Sequence, residues 1–198
     1  MSLYLASQSP RRQELLQQIG VEFEVMPAAI DESPLFNEPP VEYVQRVAVA
    51  KAAAVASADL EKPWPVLAAD TSVVVDSDIL GKPADFHESC AMLRRLSGRS
   101  HKVLSAIAMI AGGQQEVVVS STEVTFRALD TALIEKYWQS GEPRDKAGSY
   151  GIQGLGAVFV ERIVGSYSGV VGLPIEALVP LLELFSVPFW QQSELNKL

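Results

Sequence analysis

Apolar residues recur along this chain at two spacings, one typical of helices and the other of strands. A spacing of three to four residues predicts helices over residues 10–19, 41–58, 85–96, 131–140 and 174–185. Short apolar and β-branched stretches predict strands over residues 3–6, 23–26, 66–75, 101–111, 116–126 and 157–163. Helices and strands alternate in the first half, and Gly112-Gly113 favours a hairpin in the middle. We therefore expect an α/β fold with a mixed sheet.

Length and composition predict one domain over residues 1–190 and a polar tail over residues 191–198. The chain has 198 residues, of which 48% are hydrophobic, and no apolar run of transmembrane length. The N-terminus lacks the features of a secretory signal. The single cysteine, Cys90, has no partner for an internal disulfide and is expected in the core. These features predict a cytoplasmic protein with no membrane partner.

The charge balance narrows the class of ligand. The formal net charge is −8, which argues against sequence-independent binding of nucleic acid, because that needs a broad basic surface. A small anionic ligand needs only a local cluster of cations. The charge balance therefore leaves such a ligand open while excluding a general nucleic-acid partner.

Two arginines stand in the first turn of the first predicted helix, within the stretch from Ser7 to Arg12. Ser9 fits the N-cap and Pro10 the first helical position. A cation at this end of a helix costs about 0.3–1 kcal/mol, so a bound anion would offset the cost. Helix N–H groups, hydroxyls and guanidiniums suit phosphate. Ser7, Arg11 and Arg12 are therefore predicted to bind a polyphosphate, the alternative being arginines that are solvated or paired with surface acids.

Acidic residues interrupt the chain at two places of interest. Asp70 breaks the apolar stretch 66–75, so we expect it at a strand end or facing a cleft, where it could bind a metal or take a proton from water. The alternative is local hydrogen bonding with Thr71 in a turn. Asp31-Glu32 lies in the first long loop, where paired acids are usually solvated. Glu32 gains interest as the second carboxylate for a hard divalent cation beside Asp70.

Two lysines and one glycine-rich stretch complete the candidates. Lys51 lies in a helix rich in Ala and Val, so its amine either extends to solvent or reaches an anion. Lys82 follows a predicted turn, a position that by itself favours an exposed loop lysine. In the stretch 145–154, Tyr150 could stack on a base and Gln153 could pair with a pyrimidine edge. The alternative is a tight turn that joins two elements.

Together these segments resemble the Maf family of nucleoside triphosphate pyrophosphatases. The matching stretches run in order from residue 3 to about residue 185. They include Leu5-Ala6-Ser7-x-Ser9-Pro10-Arg11-Arg12, Asp31-Glu32, Ala50-Lys51-Ala52, Ala69-Asp70-Thr71, Gly81-Lys82-Pro83, Leu96-Ser97-Gly98-Arg99-x-His101, Gly141-Glu142-Pro143-x-Asp145-Lys146-Ala147-Gly148-x-Tyr150-Gly151-Ile152-Gln153-Gly154 and Val171-Gly172-Leu173-Pro174. The resemblance implies hydrolysis of a nucleoside triphosphate to the monophosphate and pyrophosphate, with Mg²⁺ or Mn²⁺ as cofactor. It also implies a fold similar to inosine triphosphate pyrophosphatases, with a curved mixed sheet, flanking helices and two lobes around a central cleft.

The resemblance also implies roles for particular residues. The form Tyr150-Gly151-Ile152-Gln153-Gly154 resembles the branch that acts on dTTP and UTP. In that branch the positions of Arg12, Thr71 and Gln153 are linked to substrate choice, and that of Asp70 to the proton acceptor. The resemblance and the residue types together predict a phosphate clamp beside Ser7, made of four cations: Arg11, Arg12, Lys51 and Lys82. Glu32 and Asp70 are predicted to hold the metal or to orient water.

Two departures from the family pattern are small. Ser105 stands where the family usually has a Thr and keeps its hydroxyl, and Ala69 replaces a frequent Gly. The family and the apolar C-terminal helix also suggest a homodimer.

Two other functions stay open. One is a nucleotide-binding regulator of cell division or septum formation, because the family is also associated with septum inhibition. The other is a phosphatase that releases orthophosphate.

Overall fold

One mixed sheet organises the chain in the computed structural model, which describes residues 2–58 and 60–191. The elements are β1 (Leu3–Leu5), α1 (Pro10–Gln18), β2 (Phe23–Val25), α2 (Pro40–Ala56), β3 (Val66–Val75), β4 (Asp78–Leu80), α3 (Phe86–Leu96), β5 (Ser100–Ala111), β6 (Gln114–Phe126), α4 (Thr131–Gln139), β7 (Val160–Val164), α5 (Tyr167–Val171) and α6 (Ile175–Leu184). Within the described residues the strand order is β2-β1-β3-β5-β6-β7, with β4 on β3. The predicted α/β fold with a mixed sheet is confirmed.

The middle of β3 has one open edge, and this gap shapes the site. β1 runs parallel to β3 but pairs with it only as far as Leu67, and β4 pairs with it from Val73 onward. The other edge of β3 is covered continuously by β5, including the antiparallel partners Asp70↔Ala106 and Thr71↔Ser105. The sheet therefore exposes the backbone edge of β3 at residues 69–72 between two short neighbours.

The two faces of the sheet carry separate apolar clusters. Along β3, Leu67 and Val73 belong to the cluster formed with α1, α3 and α6, and Ala68 and Val74 to the cluster formed with α2. This alternation is the period of two expected of a strand buried on both faces. Cys90 is buried in the first cluster, as predicted. Alanines on α2 and on the facing strands let helix and sheet approach closely, which brings the α2 side chains near β3.

Three differences from the sequence prediction have local causes. β3 continues through Asp70, so this residue is neither at a strand end nor in a turn. Residues 78–80, predicted as turn, form β4, because Asp76 and Ser77 adopt positive φ values of 53° and 71° and fold the chain back tightly. The last predicted strand begins at Val160, after a 3₁₀ turn over Leu155–Phe159.

The C-terminal part of the chain differs from the prediction in a second way. α5 was not predicted, since a helix of five residues leaves almost no periodicity to detect. α6 turns Leu178, Leu181 and Leu182 into the core, so its apolar character needs no second copy of the chain, and the homodimer stays a prediction. Of the predicted polar tail, residues 192–198 lie outside the described residues, and Gln191 donates its backbone N–H to Gly20 O at 3.0 Å.

Tyr150 belongs to an aromatic cluster and also contributes to the lining of a cleft. Its ring packs edge-on against His101 and Phe126, and only 6% of its surface is exposed. Its hydroxyl lies 2.8 Å from His101 Nε2. This packing does not support the predicted stacking of Tyr150 on a base. Burial is the main reason that the pKa of His101 falls to about 4, with a smaller contribution from Arg99.

The low pKa of His101 predicts an acid-dependent loss of stability. The unfolded state takes up a proton below about pH 6.5 and the folded state only near pH 4, so stability is complete above this window and falls as the pH drops through it. Between pH 7 and pH 5 we expect His101 to account for a loss of about 2 kcal/mol. Urea unfolding at both pH values should show a smaller loss for His101→Gln than for the wild type. His87→Gln, at an exposed histidine, is the control; equal losses in all three proteins would contradict this assignment.

Candidate active site

A cleft of about 940 Å³ opens at the gap in β3. Its walls come from the β1–α1 corner, the middle of β3, the inner face of α2, the turn after β4 and the glycine-rich loop after α4. All the residues singled out from the sequence line it: Ser7, Arg11, Arg12, Glu32, Lys51, Asp70, Thr71, Lys82 and Gln153. The fold thus gathers residues spread over nearly 150 positions of the chain, from Ser7 to Gln153, around one cavity.

Arg12 is held in place from three sides. Its Nε donates to Gly172 O at 2.9 Å, Nη1 to Ser7 Oγ at 3.0 Å and Nη2 to Thr71 Oγ1 at 3.4 Å. Burial lowers its pKa, and nearby Asp70 opposes that shift. Arg12 is therefore a fixed cation that joins α1, β3 and the turn before α6, and the alternative of a solvated arginine does not apply to it.

The start of α1 faces the cleft with its N–H groups available. Ser9 occupies the N-cap position and Pro10 follows it, but the Ser9 side chain makes no capping bond. Ser7 Oγ accepts from Ser9 N at 3.2 Å and from Arg12 Nη1, so its own proton is left for a ligand. No acidic residue lies in the first turn of α1. This corner suits an anion, as the sequence predicts.

Thr71 lies in a directed chain of hydrogen bonds. Ser105 Oγ donates its proton to Gly169 O at 2.6 Å, since a carbonyl can only accept. Thr71 must then be the donor in its 2.9 Å bond with Ser105. Thr71 Oγ1 is left as an acceptor on its cleft side, where Arg12 approaches. The sequence analysis did not predict that Ser105 would orient the Thr71 hydroxyl. A serine inside the apolar run of β5 was the signal that could have indicated this role.

Lys51 joins the two predicted metal ligands. Its Nζ donates to Asp70 Oδ1 at 2.9 Å and to Glu32 Oε2 at 2.8 Å. Lys51 and Asp70 are both buried, with 8% and 6% of their surfaces exposed, whereas half of the Glu32 side chain is open to solvent. The amine therefore reaches anions rather than extending to bulk solvent. Among the described residues Lys51 alone donates to the Asp70 carboxylate, which leaves Oδ2 for water or a ligand.

The remaining predicted residues lie at the rim of the cleft. Arg11 is about one-third exposed and approaches Asp145 at 3.8 Å, a loose pair that leaves it able to turn to another anion. Lys82 and Gln153 are exposed. The rim thus offers two further cations and one amide, and none of these three side chains is buried.

The acidic residues of the cleft do not form a metal site by themselves. Within residues 2–58 and 60–191, no group of three or more His, Cys, Asp or Glu could hold a metal ion by itself. The carboxylates of Asp70 and Glu32 do converge, because both contact the same nitrogen. Mg²⁺ is commonly held by one or two carboxylates together with substrate phosphates. The pair therefore fits a cation shared with a phosphate-bearing ligand.

No helix in the described part of the chain is long and apolar enough to cross a membrane.

The fold and the cleft define an α/β protein with a site for a small polyanion. The chain belongs to the Maf-like protein family, whose model matches residues 2–185. It is 56% identical to a dTTP/UTP pyrophosphatase of Alcanivorax borkumensis, over 96% of this chain and 99% of that one. It is 52% identical to a dTTP/UTP pyrophosphatase of Pseudoalteromonas atlantica, over 93% and 97%. Among solved structures, the Staphylococcus aureus Ham1 protein is similar with a TM-score of 0.46 and 14% identity, over 64% of this chain and 72% of that one.

The contacts of Lys51 predict an asymmetry between two substitutions. Lys51→Met leaves two carboxylates without their shared cation, one of them buried, and should lower the free energy of unfolding by about 3 kcal/mol. Asp70→Asn leaves Lys51 paired with Glu32 and should cost less than about 1 kcal/mol. Adding Asp70→Asn to Lys51→Met should recover most of the loss in urea unfolding. Additive losses in the double variant would show that Lys51 and Asp70 are not coupled.

Proposed function

We propose that this chain hydrolyses dTTP and UTP to the nucleoside monophosphate and pyrophosphate. The observation that carries the proposal is that one cleft brings together the charged residues that the family pattern marks, namely Arg11, Arg12, Lys51, Lys82, Glu32 and Asp70. The names of the relatives, which are about half identical over nearly the full chain, support the same reaction and the same substrates. A nucleoside triphosphate substrate also supports the cytoplasm as the compartment.

The cations account for the binding of the triphosphate. This group carries about four negative charges at neutral pH, so fixed positive groups must surround it. Arg12 is preorganised by its three hydrogen bonds, while Arg11 and Lys82 at the rim can close on the phosphates from outside. The N-terminus of α1 and the free proton of Ser7 add neutral donors. Donors that are already in place lower the cost of stabilising charge that develops on the leaving group.

Asp70 is proposed as the base that activates water. It is buried at the open edge of β3, where Lys51 holds one of its oxygens and the other faces no donor from the described residues. A water at that second oxygen could pass its proton to the carboxylate while it attacks the α-phosphorus, and pyrophosphate would leave. Lys51 fixes the orientation of the carboxylate and balances its charge.

A divalent cation, Mg²⁺ or Mn²⁺, is proposed as cofactor, with Glu32 as the residue that would hold it together with the substrate phosphates. Asp70 is the alternative ligand, a role that would replace its role as base, because a carboxylate that binds a metal ion tightly is not free to accept a proton. Such an ion supplies charge neutralisation on the phosphate oxygens. Glu32, which pairs with Lys51, is suited to exchange that amine for a metal ion, because its side chain lies half exposed on a loop. With Lys51 already between the two acids, the chain itself keeps the carboxylates together before any ligand arrives.

The nucleobase would be recognised by Gln153 and Thr71, which both line the cleft. Gln153 presents an amide with both a donor and an acceptor, which suits the imide edge shared by thymine and uracil. Thr71 can only accept a hydrogen bond from a ligand, because its own hydroxyl proton is donated to Ser105. The carboxylates favour an enzyme over a pure binding protein, since a binder of an anionic triphosphate gains nothing from acids beside the phosphates.

The substrate and the bond cleaved are tested by a screen of nucleoside triphosphates with Mg²⁺. We expect pyrophosphate from dTTP and UTP and little orthophosphate. Asp70→Asn should lower kcat at least about 100-fold, the scale of a lost general base, while its circular dichroism and unfolding midpoint stay near those of the wild type. Binding without turnover would support the regulator of cell division instead. Release of orthophosphate would support the phosphatase.

Removal of the metal gives a separate expectation. EDTA should abolish hydrolysis, and excess Mg²⁺ or Mn²⁺ should restore it, because a divalent ion held by one or two carboxylates would neutralise charge on the substrate phosphates. Glu32→Gln should raise the Mg²⁺ concentration that gives half-maximal activity, whereas Glu22→Gln, at a residue that does not line the cleft, should not. Full activity in EDTA would exclude a required divalent cation.

A further inference from the structure

The carboxylate of Glu142, which lines the cleft, binds backbone N–H groups of the glycine-rich loop. Glu142 Oε2 accepts from Leu155 N at 2.8 Å, and Oε1 accepts from Gly156 N at 3.1 Å. Glu142 Oε1 also accepts the Tyr137 hydroxyl proton at 2.8 Å, and that hydroxyl accepts from Gly151 N at 3.0 Å. Both ends of the segment from Gly151 to Gly156 are therefore tied to the same pair of side chains.

The glycines of this segment are explained by the same pair. A Cβ at Gly154 would collide with the Glu142 carboxylate, and one at Gly156 would lie 2.8 Å from the Tyr137 hydroxyl. The spacing of these glycines therefore leaves room for the two polar groups to reach the backbone. A loop that needed only to turn would not require a bare backbone at both positions.

Glu142 and Tyr137 are themselves held firmly. Tyr137 is buried on α4, with its ring edge-on to Phe159 at 4.8 Å. The backbone oxygen of Glu142 accepts from Lys146 Nζ at 2.7 Å. Burial would raise the pKa of Glu142, but the N–H groups of Leu155 and Gly156, the Tyr137 hydroxyl and Lys146 together outweigh it and lower that pKa, so the side chain is an anion that suits backbone donors.

We propose that Glu142 and Tyr137 are positioning residues which fix the loop Gly151–Gly156 and thereby set the preference of the site for its base. The inference rests on the proposed function, because the loop carries Gln153, the side chain proposed to face the base. Between the tied ends only Ile152, Gln153 and Gly154 lie free of these bonds. Ile152 is buried, so Gln153 projects from a short span anchored on both sides.

The rival role for Glu142 is direct contact with the metal or the phosphates, because this residue also lines the cleft. The two roles differ at Tyr137, which touches the loop and Glu142 but does not line the cleft. A direct role predicts that Glu142→Gln lowers kcat for every nucleotide alike and that Tyr137→Phe changes little. A positioning role predicts that both substitutions act in the same direction on base preference.

The first test compares UTP with CTP, which differ only at the base edge. Gln at position 142 would set its NH₂ group against one backbone N–H, so one anchor is lost. For Glu142→Gln and Tyr137→Phe we expect the ratio of kcat/KM for UTP to that for CTP to fall about five- to tenfold, the scale of one hydrogen bond. The KM for UTP should rise while kcat stays within about twofold. Glu135→Gln, at an exposed acid on α4, should leave the ratio unchanged.

The second test does not depend on activity. Hydrogen exchange of the Gly151, Leu155 and Gly156 amides should be at least about tenfold faster in Glu142→Gln than in the wild type, with the core strands unaffected. If the wild type hydrolyses no nucleotide, the proposed function fails, and exchange together with competitive binding of UTP and CTP still decides the inference. An unchanged UTP:CTP ratio or unchanged amide exchange in a folded Glu142→Gln protein would overturn it.

Discussion

The arrangement of the site depends on one buried ion pair, that between Lys51 and Asp70. A carboxylate inside a strand that is buried on both faces must have a partner, because an unpaired charge there costs several kcal/mol. Lys51 can supply it only if α2 lies close to β3, and the alanines of that interface allow this approach. The same amine draws Glu32 inward from its loop. One interaction thus places a helix, a strand and a loop around the cleft.

The gap in the sheet gives the ion pair access to a ligand. If β1 continued beyond Leu5, its backbone would cover the edge of β3 at Asp70 and close the cleft. β1 ends there because the chain turns into α1, whose first turn carries Arg12. The alternation along β3 then separates two tasks: Asp70 lies on the side of α2, and Thr71 on the side of Arg12. Asp70 therefore pairs with Lys51, while its neighbour Thr71 accepts from the Arg12 guanidinium on the other face of the sheet.

Sequence patterns predicted the elements with strong periodicity and missed those set by tertiary contacts. The long helices follow from apolar spacing, and the β5–β6 hairpin from apolar spacing together with Gly112-Gly113. β4 and α5 are too short to leave a pattern, and Asp70 looked like a break in β3 because the cation that stabilises it lies 19 positions away, on α2. Charged residues were found individually, whereas their pairing is a property of the fold.

The same limit explains which site residues were missed. Ser105, Glu142 and Tyr137 act on backbone groups or on other side chains, and these backbone partners lie 13 to 64 positions away in sequence. The sequence signals were indirect: a serine in the apolar run of β5 for Ser105, and the glycine spacing of the loop for Glu142 and Tyr137. Tyr150 is both a lining residue of the cleft and a core residue, so only its predicted stacking on a base is not supported. Its neighbours His101 and Phe126, which pack against its ring, lie on β5 and β6.

The central claim is that water, activated at Asp70, attacks the α-phosphorus of a pyrimidine nucleoside triphosphate held in this cleft. The most direct test is hydrolysis of dTTP in water enriched in ¹⁸O, with mass spectrometry of both products. The account predicts one ¹⁸O atom in dTMP and none in the released pyrophosphate. Label in pyrophosphate, or in orthophosphate released alongside dTDP, would mean attack at another phosphorus and would contradict the account.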